Sequence, residues 1–227
     1  MALQSLLKWP FPERDRSRYD AETSLRRHRV RRGLELFEED GQKVERGKVI
    51  WHVTMSLDGF ITGPDDAMEW AFRYAERSQI ADEVLNTTGA ILAGRRWHDV
   101  AMARYDGRSG IYGGAWTGPV FVLTHRPPDA PPDPGITFLS DGIQNAVATA
   151  RAAAEGKNLG IFGANTAQQC LETHLLDELV VHVAPLLLLG DGVRLYGGGP
   201  GVHRVELQRT ALAESGQVTD LRFRVVK

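Results

Sequence analysis

The sequence predicts an α/β fold: a three-layer α/β/α domain around a mixed, mostly parallel sheet that closes with an antiparallel C-terminal hairpin. Short β-branched apolar runs alternate with amphipathic helical segments from Gly47 onward. Several of these runs are apolar on both faces, as parallel strands covered by helices must be. The last two strand candidates are separated only by a turn at Ser215-Gly216. A length of 227 residues suits one sizeable domain with a small appendage, and 42% hydrophobic with 25% charged residues excludes wholesale disorder.

Taken in order, Val49 to Met55 is the first core strand. Pro64-Asp65-Asp66 then opens a helix, with proline and acids suited to its first turn and Met68, Ala71, Phe72 and Ala75 on one face. Ala90 to Ala93 is a buried strand ending at Gly94, and Arg95 to Ala103 is the following helix. Val120 to Thr124 is another strand. Five prolines between Arg126 and Gly135 make that segment an extended loop. Ile136 to Leu139 is a short strand, and Ile143, Ala146, Val147, Ala150 and Ala154 mark a helix that stops at Gly156. Leu159 to Phe162 and Leu179 to Ala184 are strands separated by a helix over Ala164 to His174. Val205 to Leu212 and Val218 to Val226 form the terminal hairpin.

The first 46 residues differ in texture. Arginines and acids alternate from Glu13 to Arg32, with only Tyr19, Leu25 and Val30 to bury and a short helix ending near Leu34, Leu36 and Phe37. The expectation is an appendage that is disordered or lies on the domain surface. Arg26, Arg27, Arg29, Arg31 and Arg32 offer an anion-binding or docking patch as the alternative. With 27 basic against 29 acidic residues the net charge is -2, so no strong nucleic-acid field follows. The one cysteine, Cys170, excludes an internal disulfide framework and a cysteine-rich zinc site, and favours a cytoplasmic setting. No run approaches the ~20 apolar residues of a membrane span.

Chemistry in such a sheet belongs beyond the carboxyl ends of its strands. Three strand-end turns there share a character. Gly94-Arg95-Arg96 pairs a glycine with two arginines at a helix start. Thr124-His125-Arg126 delivers a hydroxyl and two basic side chains together. Gly163-Ala164-Asn165-Thr166 is a small-residue turn entering a helix. Free helix amides and arginine forks suit phosphates, so the three turns together suggest a polyanionic ligand such as a dinucleotide. Neither the G-x-G-x-x-G fingerprint nor a P-loop is present. Ser56-Leu57-Asp58-Gly59 reads as an active-site loop or as a plain turn held by Asp58.

The runs TMSLDGFITGPDDAMEW, LAGRRWHDV, VFVLTHRP, IFGANTAQQCLETHLLDEL and VHVAPLLLLGDGVRLYGG, in unbroken order from Gly47 to Lys227, resemble the dihydrofolate-reductase-like family. The resemblance is closest to the C-terminal reductase domain of the bacterial bifunctional deaminase-reductase of riboflavin biosynthesis and its stand-alone relatives. It implies a domain over residues 47–227 and an NADPH-dependent oxidoreductase like the 5-amino-6-(5-phosphoribosylamino)uracil reductases, a homodimer acting on a small molecule.

By the same resemblance, Gly94, Arg95 and Arg96 hold cofactor phosphates, and Thr124, His125 and Arg126 lie beside the ribose and its 2′-phosphate. Ser140 lies near the adenine edge, and Gly163, Ala164, Asn165 and Thr166 cradle the pyrophosphate. Ser56, Ile61 and Trp70 face the substrate, and Asp58, Asp66 and Glu69 are the candidate proton donors. Trp97 stands where the family commonly has threonine, Ala164 where dihydrofolate reductases have a second glycine, and Phe60 where riboflavin-pathway reductases often have a basic residue. A nucleotide-binding module without turnover is therefore the alternative. His52 and His182, on strands, read as buried core histidines. His98, His174 and His203 lack ligand partners at metal-binding spacing, so no metal is expected. Cys170 reads as a small buried hydrophobe, Asp177-Glu178 as a solvated turn, and Gly197 to Gly201 as a flexible loop.

Overall fold

Strands form where runs of Val, Ile, Leu and Ala can be buried on both faces, and the helices supply the cover. The computed structural model describes residues 36–39, 42–129, 133–197 and 204–227, with side chains from residue 46 onward. The arginine-rich segment, His203 and most of the Gly197 to Gly201 run lie outside the described residues.

Strands β3 (Val49–Ser56), β4 (Thr88–Gly94), β5 (Val120–Leu123), β6 (Ile136–Leu139), β7 (Asn158–Phe162) and β8 (Glu178–Ala184) are joined by parallel pairing. Strands β9 (Leu207–Ser215) and β10 (Val218–Val225) add an antiparallel edge beside β8. The order across the eight-stranded sheet is β6-β5-β4-β7-β3-β8-β10-β9. Alternation along each strand sends residues to two covered faces. Val49, Trp51, Leu92, Leu159 and Ile161 pack with helices α4 (Ile143–Ala153) and α5 (Ala164–Glu172). Ile50, Ile91, Ala93 and Val180 face the opposite layer, which includes α2 (Gln79–Thr87) and α3 (Arg95–Arg104). This is the expected three-layer architecture. Among the described residues no helix is long and apolar enough to cross a membrane.

Three expectations need correction. Leu36 and Phe37 are not helical: Leu36–Glu39 (β1) pairs antiparallel with Gln42–Glu45 (β2) as a separate two-stranded sheet. No continuous helix runs from Pro64 to Ala75. Asp65 and Asp66 adopt φ of 52° and 59°, which breaks the chain into a 3₁₀ turn over Pro64–Asp66 and a four-residue helix α1 (Glu69–Phe72). Helix α2, absent from the sequence expectations, is capped by the Ser78 hydroxyl, which accepts from the Ala81 amide at 3.2 Å.

Finally, Asp177 and Glu178 are not a solvated turn. Asp177 accepts from the Val49 amide at 2.8 Å and pairs with Lys227, while buried Glu178 pairs with Lys48 at 2.6 Å and Arg222 at 3.1 Å. These contacts fasten the starts of β3 and β8 together. Cys170 is fully buried, and burial with nearby Asp177 pushes its thiol up to about 12.

Because β1 and β2 pair only with each other, deleting residues 1–46 is expected to leave the eight-stranded sheet intact. The truncated chain should show one cooperative thermal transition by circular dichroism. Loss of that transition would make the segment part of the core.

Candidate active site

The sheet order sets β5, β4, β7 and β3 side by side, so their C-terminal ends open on one cleft of about 1030 Å³. Gly94, Arg95, Arg96, Thr124, His125, Arg126, Gly163, Ala164, Asn165 and Thr166 all line it. Two of the turns are in close contact. A Cβ on Gly94 would sit 2.8 Å from Thr166 Oγ1, and one on Gly163 would sit 3.8 Å from the Gly94 amide nitrogen. Gly163 is also at φ +91°, a backbone that favours glycine. Gly94 and Gly163 begin α3 and α5, and neither helix start carries a side-chain cap. Uncapped first-turn amides with the positive end of the helix dipole suit an anion.

The basic side chains of this wall are engaged to different degrees. Arg95 Nε donates to Asp99 at 2.7 Å, and its Nη1 donates to the Arg126 carbonyl at 2.9 Å, so it braces the β5 turn. Arg96 makes a two-point pair with Asp66, at 3.0 and 2.8 Å. The Arg126 amide donates to Thr124 Oγ1 at 3.2 Å, and among the described residues no ion pair holds its exposed guanidinium. Trp97 lines the cleft and packs edge-on against Phe162 at 5.2 Å. Phe60 is buried under Arg194, 4.1 Å away, and does not line the cleft.

The expected substrate and proton-donor residues fare less uniformly. Ile61 and Asp66 line the cleft, whereas Ser56, Asp58, Glu69, Trp70 and Ser140 do not. Ser56 is fully buried, donating to Asp58 at 2.6 Å and accepting from the Phe60 amide at 2.9 Å. Asp58 fastens its own loop to another, accepting from the Leu188 and Leu189 amides at 3.2 and 3.0 Å. The Ser56 hydroxyl foremost, then those amides, hold its carboxyl at about 2, so it is ionised and bonded away from the cleft. Exposed Glu69 accepts from the Tyr105 hydroxyl at 3.0 Å. Trp70 donates to the Ala67 carbonyl at 3.2 Å, and Ser140 is exposed at the end of β6.

The cleft floor holds a chain of polar groups that includes His52 and His182, the two histidines expected in the core. Tyr112 Oη lies 2.8 Å from His52 Nδ1, His52 Nε2 lies 2.6 Å from His182 Nε2, and His182 Nδ1 lies 2.5 Å from Asp220 Oδ1. Ser78 and Ser215 donate to the other Asp220 oxygen at 2.6 and 2.5 Å. All six residues line the cleft. Register explains the assembly: Asp220 is opposite His182, while His52 is opposite Val180, one same-face step from His182.

Burial foremost, then His182 and Arg222, push the His52 imidazole well below its ordinary value, so it is neutral. Burial alone would raise Asp220, but hydrogen bonds from His182, Ser215 and Ser78 outweigh it and hold the group as a carboxylate. Burial also raises the Tyr112 hydroxyl, so it keeps its proton. The sequence signal was an aspartate sharing the inward period of its strand with Val218.

Comparisons with known proteins bear on this arrangement. The model of the RibD C-terminal domain matches residues 47–219. The chain belongs to that family. The uncharacterized protein YwjB of Bacillus subtilis (strain 168) is 23% identical over 184 residues, covering 78% of this chain and 97% of its own. Among solved structures, a Shewanella sp. PV-4 protein named for riboflavin biosynthesis is 20% identical with a TM-score of 0.67, over 79% of this chain and 99% of its own. The Thermotoga maritima diaminohydroxyphosphoribosylaminopyrimidine deaminase/5-amino-6-(5-phosphoribosylamino)uracil reductase gives 16% and 0.55, over 80% of this chain and 57% of its own. The riboflavin biosynthesis reductase Rib7 of Saccharomyces cerevisiae gives 11% and 0.52, over 86% and 95%. These likenesses establish the dihydrofolate-reductase-like fold of the RibD C-terminal domain for this chain.

The Asp58 clasp yields a pH prediction. Its folded value lies below the ordinary 3.8, so its stabilisation is complete above about pH 4 and is lost as pH falls through about 2. Asp58→Asn should therefore lower the melting temperature near neutral pH and reduce the further loss between about pH 4 and 2. Wild-type acid sensitivity in that variant would show that the loop does not depend on the charge.

Proposed function

We propose that this RibD C-terminal domain is an NADPH-dependent reductase acting on a C=N or C=O bond of a pyrimidine-type compound, in the manner named for its structural neighbours. The observation that carries this reading is the wall made by the ends of β4, β5 and β7, where two uncapped helix starts and an unengaged arginine face one cleft. The residues present fit a dinucleotide phosphate. Gly94 lets backbone approach where a Cβ would crowd Thr166, Gly163 supplies the positive φ of its turn, and the amides behind them suit an anion. The amides after Gly94 and Gly163 would hold the pyrophosphate, and Thr124, His125 and Arg126 would meet the ribose and its 2′-phosphate. Arg95 keeps the Arg126 turn in place through its carbonyl. When bound, NADPH supplies the hydride.

Ile61 and Trp97 give the remaining walls an apolar character, excluding water from the reacting bond. Asp66, on the cleft and clamped by Arg96, ties the loop after β3 to the α3 start. The domain boundary at residue 47, the homodimer and the cytoplasmic location belong to the same proposal on the strength of the resemblance.

An arginine–phosphate contact contributes about 1.5–3 kcal/mol, a factor of roughly 10 to 150 in affinity. Arg126→Ala should weaken NADPH by that factor and NADH little, measured by fluorescence titration. Arg95→Ala, which loosens a turn shared by both cofactors, should weaken the two about equally. Equal losses for Arg126→Ala would move that side chain off the 2′-phosphate, and no saturable NADPH signal in the unaltered protein would overturn the cofactor reading.

A further inference from the structure

The buried chain on the cleft floor has a direction. Asp220 can only accept, so the nearest nitrogen of His182, Nδ1, must carry a hydrogen. In a neutral His182 the Nε2 then accepts, so the hydrogen in the 2.6 Å contact belongs to His52 Nε2. His52 Nδ1 is left as an acceptor, and the Tyr112 hydroxyl must donate to it. Every hydrogen in the chain thus points toward Asp220.

One added proton reverses three of the four groups. When His182 carries a hydrogen on both nitrogens, its Nε2 donates to His52 Nε2. His52 then holds its hydrogen on Nδ1 and donates to the Tyr112 oxygen. The Tyr112 hydrogen is released from His52 and free to point elsewhere, and Tyr112 lines the cleft. Asp220 accepts the Nδ1 hydrogen of His182 in both directions of the chain. Tyr112 itself sits at φ 49° and ψ 36°, a left-handed backbone that is costly for a bulky residue and is retained where surrounding structure demands it. Here a stacked contact with His52 and an edge contact with Phe162 hold the ring between the relay and the cleft.

We propose that Tyr112, His52, His182 and Asp220 form a proton relay in which Tyr112 is the catalytic acid of the cleft and the other three supply and position its proton. The inference rests on the reductase reading above. The reduced bond gains hydrogen at carbon as the hydride that NADPH gives up in becoming NADP⁺, and at nitrogen or oxygen as the Tyr112 proton. Tyr112 takes the Nδ1 hydrogen of His52, His52 takes the Nε2 hydrogen of His182, and the chain returns to its neutral direction. Solvent then returns a proton to the Tyr112 oxygen, the Tyr112 hydrogen passes to His52 Nδ1 and the His52 Nε2 hydrogen passes to His182 Nε2, which recharges the chain.

The charged groups around the relay belong to two neighbouring strands, one helix and the segments before β3 and α2. Arg222 on β10 faces His52 and is paired with Glu178 on β8 and Glu83 on α2, Lys48 pairs with Glu178, and Glu76 lines the same cleft.

Two measurements test the relay. In the first, the cofactor-free full chain with ¹⁵N-labelled histidine is followed by NMR across pH. At about pH 8 His52 should be the Nε2–H tautomer and His182 the Nδ1–H tautomer, and acid should protonate His182 while converting His52 to Nδ1–H. The opposite tautomers at high pH, or protonation of His182 without conversion of His52, would overturn the relay. In the second, NADPH and 5-amino-6-(5-phosphoribosylamino)uracil are the probes. Tyr112→Phe should lower kcat by about 100- to 10,000-fold with NADPH affinity within about 2-fold of the parent. Asp220→Asn should move the alkaline limb of the kcat profile to lower pH by about one unit or more. Unchanged kcat in Tyr112→Phe, or an unmoved limb in a folded Asp220→Asn, would refute the catalytic assignment. If Asp220→Asn fails to fold, the Tyr112→Phe kinetics and the histidine tautomers still decide. If the parent protein binds no NADPH or leaves this probe unreduced, the reductase reading fails by itself, and the tautomer measurement judges the relay.

Discussion

A carboxylate removed wholly from water costs several kcal/mol unless hydrogen bonds and a partner replace its hydration. Asp220 is 0% exposed, and the fold answers with His182 from β8, Ser78 from the start of α2 and Ser215 from the end of β9. Each partner belongs to a different element, so satisfying one charge fixes four pieces of chain at once. Ser78 does double duty, capping α2 through the Ala81 amide while donating to Asp220. That places α2 over Ile50 and Val180 with little freedom to slide. The antiparallel hairpin is likewise bound to the parallel sheet by more than its backbone ladder. Through His182 and His52 the same charge reaches β3 and Tyr112, so a fully buried carboxylate is continuous with the cleft.

The cleft itself follows from strand order. Parallel strands send all their carboxyl ends to one edge, and the order β5-β4-β7-β3 makes neighbours of turns that lie far apart in sequence. The two turns then approach until a Cβ on Gly94 would crowd Thr166, while Gly163 adopts a backbone that favours glycine. Their glycines are therefore a consequence of packing two helix starts side by side, and the uncapped amides are a consequence of leaving that junction open. Arg95 and Arg96 add bracing rather than free charge, since each is spent on a carboxylate nearby.

Most of this fold was legible because doubly buried strands write themselves as unbroken apolar runs, and Leu159 to Phe162 or Ala90 to Ala93 admit little else. The errors arose where backbone conformation or distant contacts override local pattern. Apolar spacing over Met68 to Ala75 mimicked a helix begun at Pro64, but two aspartates in left-handed geometry break that start and only Glu69–Phe72 is α-helical. Asp177 and Glu178 looked solvated because their cations, Lys48, Arg222 and Lys227, lie far away in sequence. In the site, the three turns were readable since each is a local strand–glycine–helix junction. The relay was not, because its contacts span 130 and 38 residues and depend on register across three strands. A lone histidine on an apolar strand carries no sign of whether its neighbour two strands away is valine or aspartate.

The division between wall and floor has a chemical logic. A reductase needs an anion site that stays open to solvent long enough to exchange its cofactor, and exposed turns with uncapped helices provide that. It also needs a proton at a water-poor reacting bond, which an exposed carboxylate serves badly: Asp58 is ionised and bonded away from the cleft, and Asp66 is neutralised by Arg96. A chain of imidazoles ending on a buried carboxylate can hold one proton beside that carboxylate, and can present it through a hydroxyl of unaltered charge. The cost of burying Asp220 is then tied to where the proton is stored, and that cost is met by serines and strand pairing that the fold needs in any case.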